Sequence, residues 1–355
     1  MSKLKVAVLF GGVSNEHDIS LISASNIINA IPSDKYEVIP IGITKKGRWL
    51  YYPGDISQIA SGLWESNPDC VPAVILPDPM YKGVLKMSEE SYSITKIDVI
   101  FPALHGQNGE DGVIQGLLKL SGIPYVGCDV ISSANCMDKV FTHTVLEANG
   151  VKMARWKSVT TSELNRLDEV CENIAAELDY PLFVKPANSG SSVGVNKASS
   201  FEELKNAVKF AFSHDKKAII EEYVKGRELE CAVFGKENPF ASDVGEINSC
   251  NEFYDYDAKY ILGTSGLSIP AEIPEAASKE IRETAVKAFK AIGCSGLSRV
   301  DFFLKEDGTV ILNEINTLPG FTQISMYPKL MEHMGISQSE LVDKLIMLAI
   351  DDLHN

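Results

Sequence analysis

Through its first 126 residues the chain alternates apolar runs of strand length with helix-length stretches, and this alternation limits the folds open to it more than any other feature. Val6 to Phe10 precedes a helical stretch near Ile19 to Ile31. Glu37 to Ile43 follows, and Val99 to Leu104 leads into a helical stretch near Val113 to Leu120 and then Tyr125 to Val126. Strands separated by helices run mostly parallel, so the expectation is an α/β sheet covered on both faces. A second block opens with a helix around Met137 to Ala148. It continues through strand Leu182 to Lys185, helix Phe201 to Phe212 and strand Ala218 to Glu222, which together make a small α+β unit. The third block holds strand Leu229 to Phe234, an aromatic, turn-rich loop from Cys250 to Ala271, a helix from about Ala276 to Ile292, and strands Ser298 to Leu304 and Thr309 to Ile315. Ile281, Ala285, Phe289 and Ile292 mark one buried face of that helix.

The last two strands carry the most specific chemistry. Asp307-Gly308 between apolar runs signals a hairpin. A two-residue turn there sets Asp301 opposite Glu314 and Arg299 opposite Asn316, and a four-residue loop keeps the same face. Side chains alternate across a strand, so all four project from one patch. Two carboxylates and an amide oxygen are hard ligands suited to Mg²⁺, and Arg299 beside them supplies a fixed charge for a developing oxyanion. The alternative is a solvated hairpin face with cross-strand ion pairs. Val310 and Leu312, taken to lie on the same side of the strand, argue against it by implying a partly buried surface.

Three loops add weaker signals. Lys185-Pro186-Ala187-Asn188-Ser189-Gly190-Ser191-Ser192-Val193-Gly194 is a phosphate-loop candidate, because small residues let backbone N–H groups approach a phosphate while Lys185 neutralises it. It is equally describable as an ordinary Gly/Ser turn, and neither common nucleotide fingerprint is present. Gly11-Gly12-Val13-Ser14-Asn15-Glu16 ends the first strand where α/β sheets place ligands. Glu16 there either binds a substrate ammonium or complements the dipole of the following helix. His105-Gly106-Gln107-Asn108-Gly109-Glu110-Asp111-Gly112 is a similar loop leading to a helix start, and reads either as a ligand loop or as turn glycines with an acidic cap.

Charge and composition narrow the partners. A formal charge of -15, from 48 acidic and 33 basic side chains, argues against nucleic acid or an anionic membrane. The amino terminus lacks a signal-peptide pattern, and Leu345 to Ile350 is far shorter than the ~20 residues a bilayer span needs, so a soluble cytoplasmic protein is expected. The seven cysteines, at 70, 128, 136, 171, 231, 250 and 294, follow no metal or CxxC spacing and are expected as free thiols.

Taken in order, eight motifs carry more than each does alone. They are Gly11-Gly12-x-Ser14-x-Glu16; His105-Gly106 with Gly109-Glu110-Asp111-Gly112; Met137-Asp138-Lys139; Phe183-Val184-Lys185-Pro186 with Gly190 to Gly194; Glu221-Glu222-Tyr223 with Gly226 and Glu228; Tyr254 to Tyr260; Ser298 to Asp301; and Asn313 to Thr322. This pattern resembles the D-alanine–D-alanine ligase family over nearly the whole chain. The resemblance implies an ATP-grasp fold with an N-terminal Rossmann-like parallel-sheet domain. The implied domains are an N-terminal α/β substrate-binding domain at 1–127, a central ATP-grasp subdomain at 128–224, and a C-terminal one at 225–355 carrying a mobile loop at 250–271.

By that resemblance, Lys139, Lys185 and Lys259 reach the ATP phosphates under the Gly190-Ser191-Ser192 loop. Glu221, Glu222 and Val224 hold adenine and Glu228 the ribose, while Asp301, Glu314 and Asn316 hold two Mg²⁺ or Mn²⁺ ions. Glu16, bonded towards Ser191 and Tyr260, binds the first D-alanine; Arg299 and the Gly320 N–H stabilise the tetrahedral intermediate; Ser325 and Met326 line the second subsite. The implied reaction joins two D-alanines through a D-alanyl phosphate for peptidoglycan precursor synthesis, in a homodimer. The runner-up is a D-alanine–D-serine ligase of the vancomycin-resistance kind, whose pattern has Arg where this chain has Met326. A nucleotide-binding sensor without ligase activity would lack the metal set.

Overall fold

The computed structural model describes residues 3–89, 91–191, 193–248 and 266–351, and its strands form three sheets. The first contains β1 (Leu4–Gly11), β2 (Tyr36–Ile43), β3 (Trp49–Tyr51), β4 (Val71–Ile75), β5 (Gly83–Met87), β6 (Tyr92–Lys96) and β7 (Val99–Leu104), in the order β6-β5-β4-β3-β2-β1-β7. Its heart is parallel as expected, with β1 between β2 and β7 and the helix His17–Ala30 as crossover. The rest departs from the mostly parallel expectation, because β2 to β6 form an antiparallel meander. These strands are short, and the helical segments among them, Ser57–Ala60 and Leu63–Ser66, are only four residues each, so a reading that looks for full-length strands and helices passes over them. Tyr125 makes only an isolated bridge to Ile100, and the helix expected around Met137 to Ala148 is two helices, Val130–Met137 and Lys139–Ala148, divided at Asp138.

The second sheet, β8 (Trp156–Thr160), β9 (Leu182–Pro186), β10 (Asn196–Ala198) and β11 (Lys217–Glu222), runs in the order β10-β9-β11-β8 with every pair antiparallel. The third contains β12 (Arg227–Gly235), β13 (Phe240–Asn248), β14 (Gly266–Ser268), β15 (Gly296–Leu304) and β16 (Val310–Asn316), ordered β14-β13-β12-β15-β16. Gly266–Ser268 therefore belongs to a strand, not to the loop expected from Cys250 to Ala271; residues 250–265 of that loop lie outside the described residues.

The β15–β16 hairpin needs two corrections that cancel at the site. Gly308, at φ +84, closes a three-residue loop, and Lys305 pairs with Thr309 through its N–H. Near the turn, Leu304 therefore faces Val310 and Phe302 faces Leu312, one residue out of the expected register. A bulge at Asn313 then restores it, so that Asp301 faces Glu314 and Arg299 faces Asn316. The bulge also reverses the side expected for Val310 and Leu312. They pack with Ile315 into an apolar core, while Asn313 and Glu314 face the other way, into a cavity.

One hydrophobic core joins the sheet of the first block to the end of the chain. Val6, Val8, Phe10 and Phe101 share it with Leu330 and Met331 of the helix Met326–His333 and with Leu341, Leu345 and Ile346 of the helix Gln338–Asp351. Lys35 and Tyr36 donate to Asp343 and fasten the last helix to the start of β2. Six cysteines among the described residues are free thiols, and no described helix is long and apolar enough to cross a membrane.

Candidate active site

Two cavities meet above β15 and β16. One, of about 440 Å³, is lined by Glu16, Arg299, Asn316, Gly320, Ser325 and Met326, together with His105 and Glu110. The other, of about 530 Å³, lies between the second and third sheets and is walled by Lys185, Glu221, Glu222, Val224, Glu228 and Asp301. Lys139, Ser191, Glu230 and Glu314 line both, which makes a single cleft. Every expected site residue within the described part of the chain thus borders this cleft. Ser192, Lys259 and Tyr260 lie outside the described residues.

The sheet wall is ordered by strand register. Arg299 Nε and Nη2 donate to Asp301 Oδ1 and Oδ2, each at 2.7 Å. Glu230, the cross-strand partner of Asp301 on β12, brings its Oε2 to 3.1 Å from Arg299 Nε. Burial works against the Arg299 charge, but Asp301 and Glu230 outweigh it and hold the guanidinium well above its usual range. Glu230 was missed in the sequence, although Glu228 and Glu230 repeat at the two-residue spacing of one strand face. Asn316 Oδ1 accepts the Leu318 N–H at 3.1 Å and retains a second lone pair.

The nucleotide-side wall is built on lysines. Asp138 caps the helix Lys139–Ala148 by accepting from the N–H groups of Val140 and Phe141, and it also pairs with Lys217. Lys139 is thereby set at the first turn, where its Nζ reaches the carbonyl of Ser189 in the small-residue loop. Desolvation lowers the Lys139 pKa in spite of the attraction of Glu314. Lys185 Nζ donates to Glu221 Oε2 at 2.6 Å, while His143 Nε2 stands 3.1 Å from the other Glu221 oxygen. Burial would raise the Glu221 pKa, but Lys185 and His143 more than offset it and keep the group ionised. Both Glu221 oxygens are thus committed within the protein. The Glu222 carboxylate is likewise held by Arg155, at 2.8 Å. His143 left no local signal, being one histidine on an amphipathic helix.

The loop wall depends on close approach of backbone. Ser191, itself at φ +47, donates from Oγ to Glu16 Oε1 and so links the small-residue loop to the end of β1. Gly106 sits at φ +67, where an added Cβ would fall 2.7 Å from both Glu16 Oε2 and Ser14 Oγ. The buried His105 ring lies between the Leu318 carbonyl and Ser23 Oγ, each 3.0 Å away. Burial pushes its pKa down, so the neutral ring donates from Nδ1 to Leu318 and accepts the Ser23 hydroxyl at Nε2. Ser23 Oγ in turn accepts the Phe321 N–H at 3.1 Å. Glu110 accepts the Gly106 N–H at 2.9 Å; burial, and then the charge of Glu16, raise its pKa well above the usual carboxylate range.

At the far end, Ser325 Oγ accepts the Thr322 N–H at 2.9 Å and folds the Gly320 segment back over the cavity. Met326 is only 4% exposed and packs on Gly245, where an added Cβ would meet its sulfur at 2.6 Å.

Comparison with known proteins agrees with this geometry. The chain matches the family models described as D-ala D-ala ligase N-terminus, over residues 5–128, and D-ala D-ala ligase C-terminus, over residues 145–347. It is 52% identical to a D-alanine–D-alanine ligase of Acetivibrio thermocellus, covering 98% of this chain and 96% of that one. Among solved structures, the VanG D-Ala:D-Ser ligase from Enterococcus faecalis superposes with a TM-score of 0.90 at 42% identity, over 98% of this chain and 100% of that one. The D-alanine-D-alanine ligase from Coxiella burnetii gives 0.87 at 36% identity, over 100% and 96%.

Proposed function

The chain belongs to the D-alanine–D-alanine ligase family, and from that premise we propose that its cleft joins two D-alanines at the expense of ATP, releasing ADP and phosphate. It is a ligase of the ATP-grasp fold, and its product serves peptidoglycan synthesis. The continuity of the two cavities carries the reading, because a phosphoryl group on one side must reach a carboxylate on the other.

A carboxylate is a poor electrophile, so an oxygen of the first D-alanine carboxylate attacks the γ-phosphorus while the bond to ADP breaks. The amine of the second D-alanine then attacks the acyl carbon, and phosphate leaves with the bonding electron pair as the amine gives up its proton. Lys139 and Lys185 hold the phosphates, with Lys185 aimed by Glu221, and Ser192 and Lys259 complete that set. Glu222 and Val224 border the adenine through their backbone, and Glu228 takes the ribose. Asp301, Glu314 and Asn316 offer only hard oxygens on facing strands, a donor set that fits two Mg²⁺ or Mn²⁺ ions. Ions bound there would neutralise phosphate charge.

Glu16, steadied by Ser191, receives the first ammonium, and the family resemblance gives Tyr260 a part in the same subsite. Arg299 and the Gly320 N–H stabilise the oxyanion, and Ser325 with Met326 bounds the second amino acid. Closing the cleft over the substrates would exclude water from the acyl phosphate. A cytoplasmic homodimer binding neither nucleic acid nor membrane completes the proposal.

Likeness to a D-Ala:D-Ser ligase makes D-serine the competitor at the second position. The buried, apolar Met326 offers its hydroxyl no partner, which favours D-alanine. Phosphate release from ATP should depend on D-alanine. With both amino acids present equally, D-alanyl-D-alanine should exceed D-alanyl-D-serine by about 10²-fold. Mostly D-alanyl-D-serine would overturn the preference, and no D-alanine-dependent phosphate would overturn the ligase.

A further inference from the structure

Arg299 is a single guanidinium held between two carboxylates on neighbouring strands. Asp301 takes two of its N–H groups at 2.7 Å, and Glu230 stands 3.1 Å from Nε. The side chains of Arg299, Asp301 and Glu230 are only 15%, 13% and 7% exposed, so their charges are compensated mainly by one another. Asp301 is claimed twice. The proposed function asks it to ligate a cation, yet here both its oxygens serve Arg299. A carboxylate that turns to a divalent ion weakens its hold on a neighbouring guanidinium, and a buried guanidinium without a counter-charge is strongly disfavoured.

Glu230 meets that need from a different strand. It projects from β12, which is paired on both sides by β13 and β15, and it lines both cavities at the point where they join. We propose that Glu230 is a positioning residue that keeps Arg299 paired and aimed at the reacting carbonyl when Asp301 turns to the cation. The inference rests on the ligase reading above. Arg299 then has one partner it shares with the metal and one that it keeps, so loading of the metal does not release it.

The test uses Glu230→Gln, which preserves size and an acceptor oxygen but removes the charge. Scrambling of an isotopic label in the β,γ-bridge of ATP, with D-alanine present, reports acyl phosphate formation separately from ligation. Ligation kcat should fall about 10- to 100-fold, as for other residues that orient a charged group at a metal site. Label scrambling and the KM for ATP should stay near the wild-type values. Loss of scrambling together with a sharply raised Mg²⁺ requirement would overturn the proposal by making Glu230 a metal ligand. Unchanged ligation would make it a bystander.

A second measurement needs no activity. In metal-free and nucleotide-free protein, Arg299→Gln should unfold at a lower temperature than wild type, because Glu230 and Asp301 then face each other without a cation. Adding Glu230→Gln to that variant should raise the midpoint again, and a further fall would refute the pairing. This order of stabilities stands apart from the ligase reading, whose own failure would show as wild-type enzyme that scrambles no label.

Discussion

On the sheet wall of the cleft, Asp301 and Glu314 stand where strand register puts them, whereas on the loop wall Glu16 and Glu110 stand where turns let backbone crowd them. The sheet wall sets the Arg299 guanidinium among its carboxylates, and Asp301 and Glu230 hold that charge against the cost of burial. The loop wall has a hydroxyl for Glu16 and an N–H for Glu110, and Glu110 keeps its proton. Rigid register lets one wall hold charge at close range, while the other tolerates two neighbouring carboxyl groups by leaving one of them neutral.

The comparison is tested hardest at Glu314. Glu314→Gln should lower turnover by about 10³-fold or more and raise the Mg²⁺ requirement, because a neutral amide replaces a charged hard ligand. Mg²⁺ titration of phosphate release checks this, and near-normal activity at low millimolar Mg²⁺ would remove the metal from the sheet wall. A smaller effect is expected on the loop wall from Gly106→Ala. Its Cβ meets Glu16 and its positive φ costs about 1–2 kcal/mol, so the KM for the first D-alanine should rise about tenfold with little change in kcat. Steady-state kinetics that leave this KM unchanged would separate Glu16 from the first subsite.

Glu110→Gln should have the smallest effect, and on stability. Because folding raises the pKa of Glu110, the folded form keeps a proton that the unfolded chain releases. Stability is therefore lost as pH rises from the ordinary carboxylate pKa, about 4.5, towards the higher folded value. The glutamine variant should melt above wild type at pH 8 and match it near pH 4. The same difference at both pH values would show that Glu110 is ionised in the folded protein.

The walls also differ in how far the sequence foretold them. The facing pairs of the sheet wall follow from alternation and one turn signal, yet they came out right only because a three-residue loop and the Asn313 bulge offset each other. The bulge did leave a trace. Val310, Leu312 and Ile315 are all buried, at spacings of two and then three, which a regular strand cannot accommodate on one face. Glu230 was legible in the same way from its spacing to Glu228. On the loop wall, the glycines and acids were visible as types, but the contact of Ser191 with Glu16 spans 175 positions and no local pattern encodes it. The antiparallel strands β3 to β6 were missed because they are three to five residues long and the helical segments among them, Ser57–Ala60 and Leu63–Ser66, are only four residues each.

The core that β1, β2 and β7 share with the helix Gln338–Asp351 has a consequence for synthesis of the chain. Val6, Val8 and Phe10 leave the ribosome early, while Leu341, Leu345 and Ile346, which cover that face, come some three hundred residues later. At about 5–20 residues per second, translation leaves an apolar sheet face without its final cover for roughly 15–60 s. The nascent first block is thus a natural client for chaperones that hold apolar surface, and truncation before residue 338 should leave that block prone to aggregation.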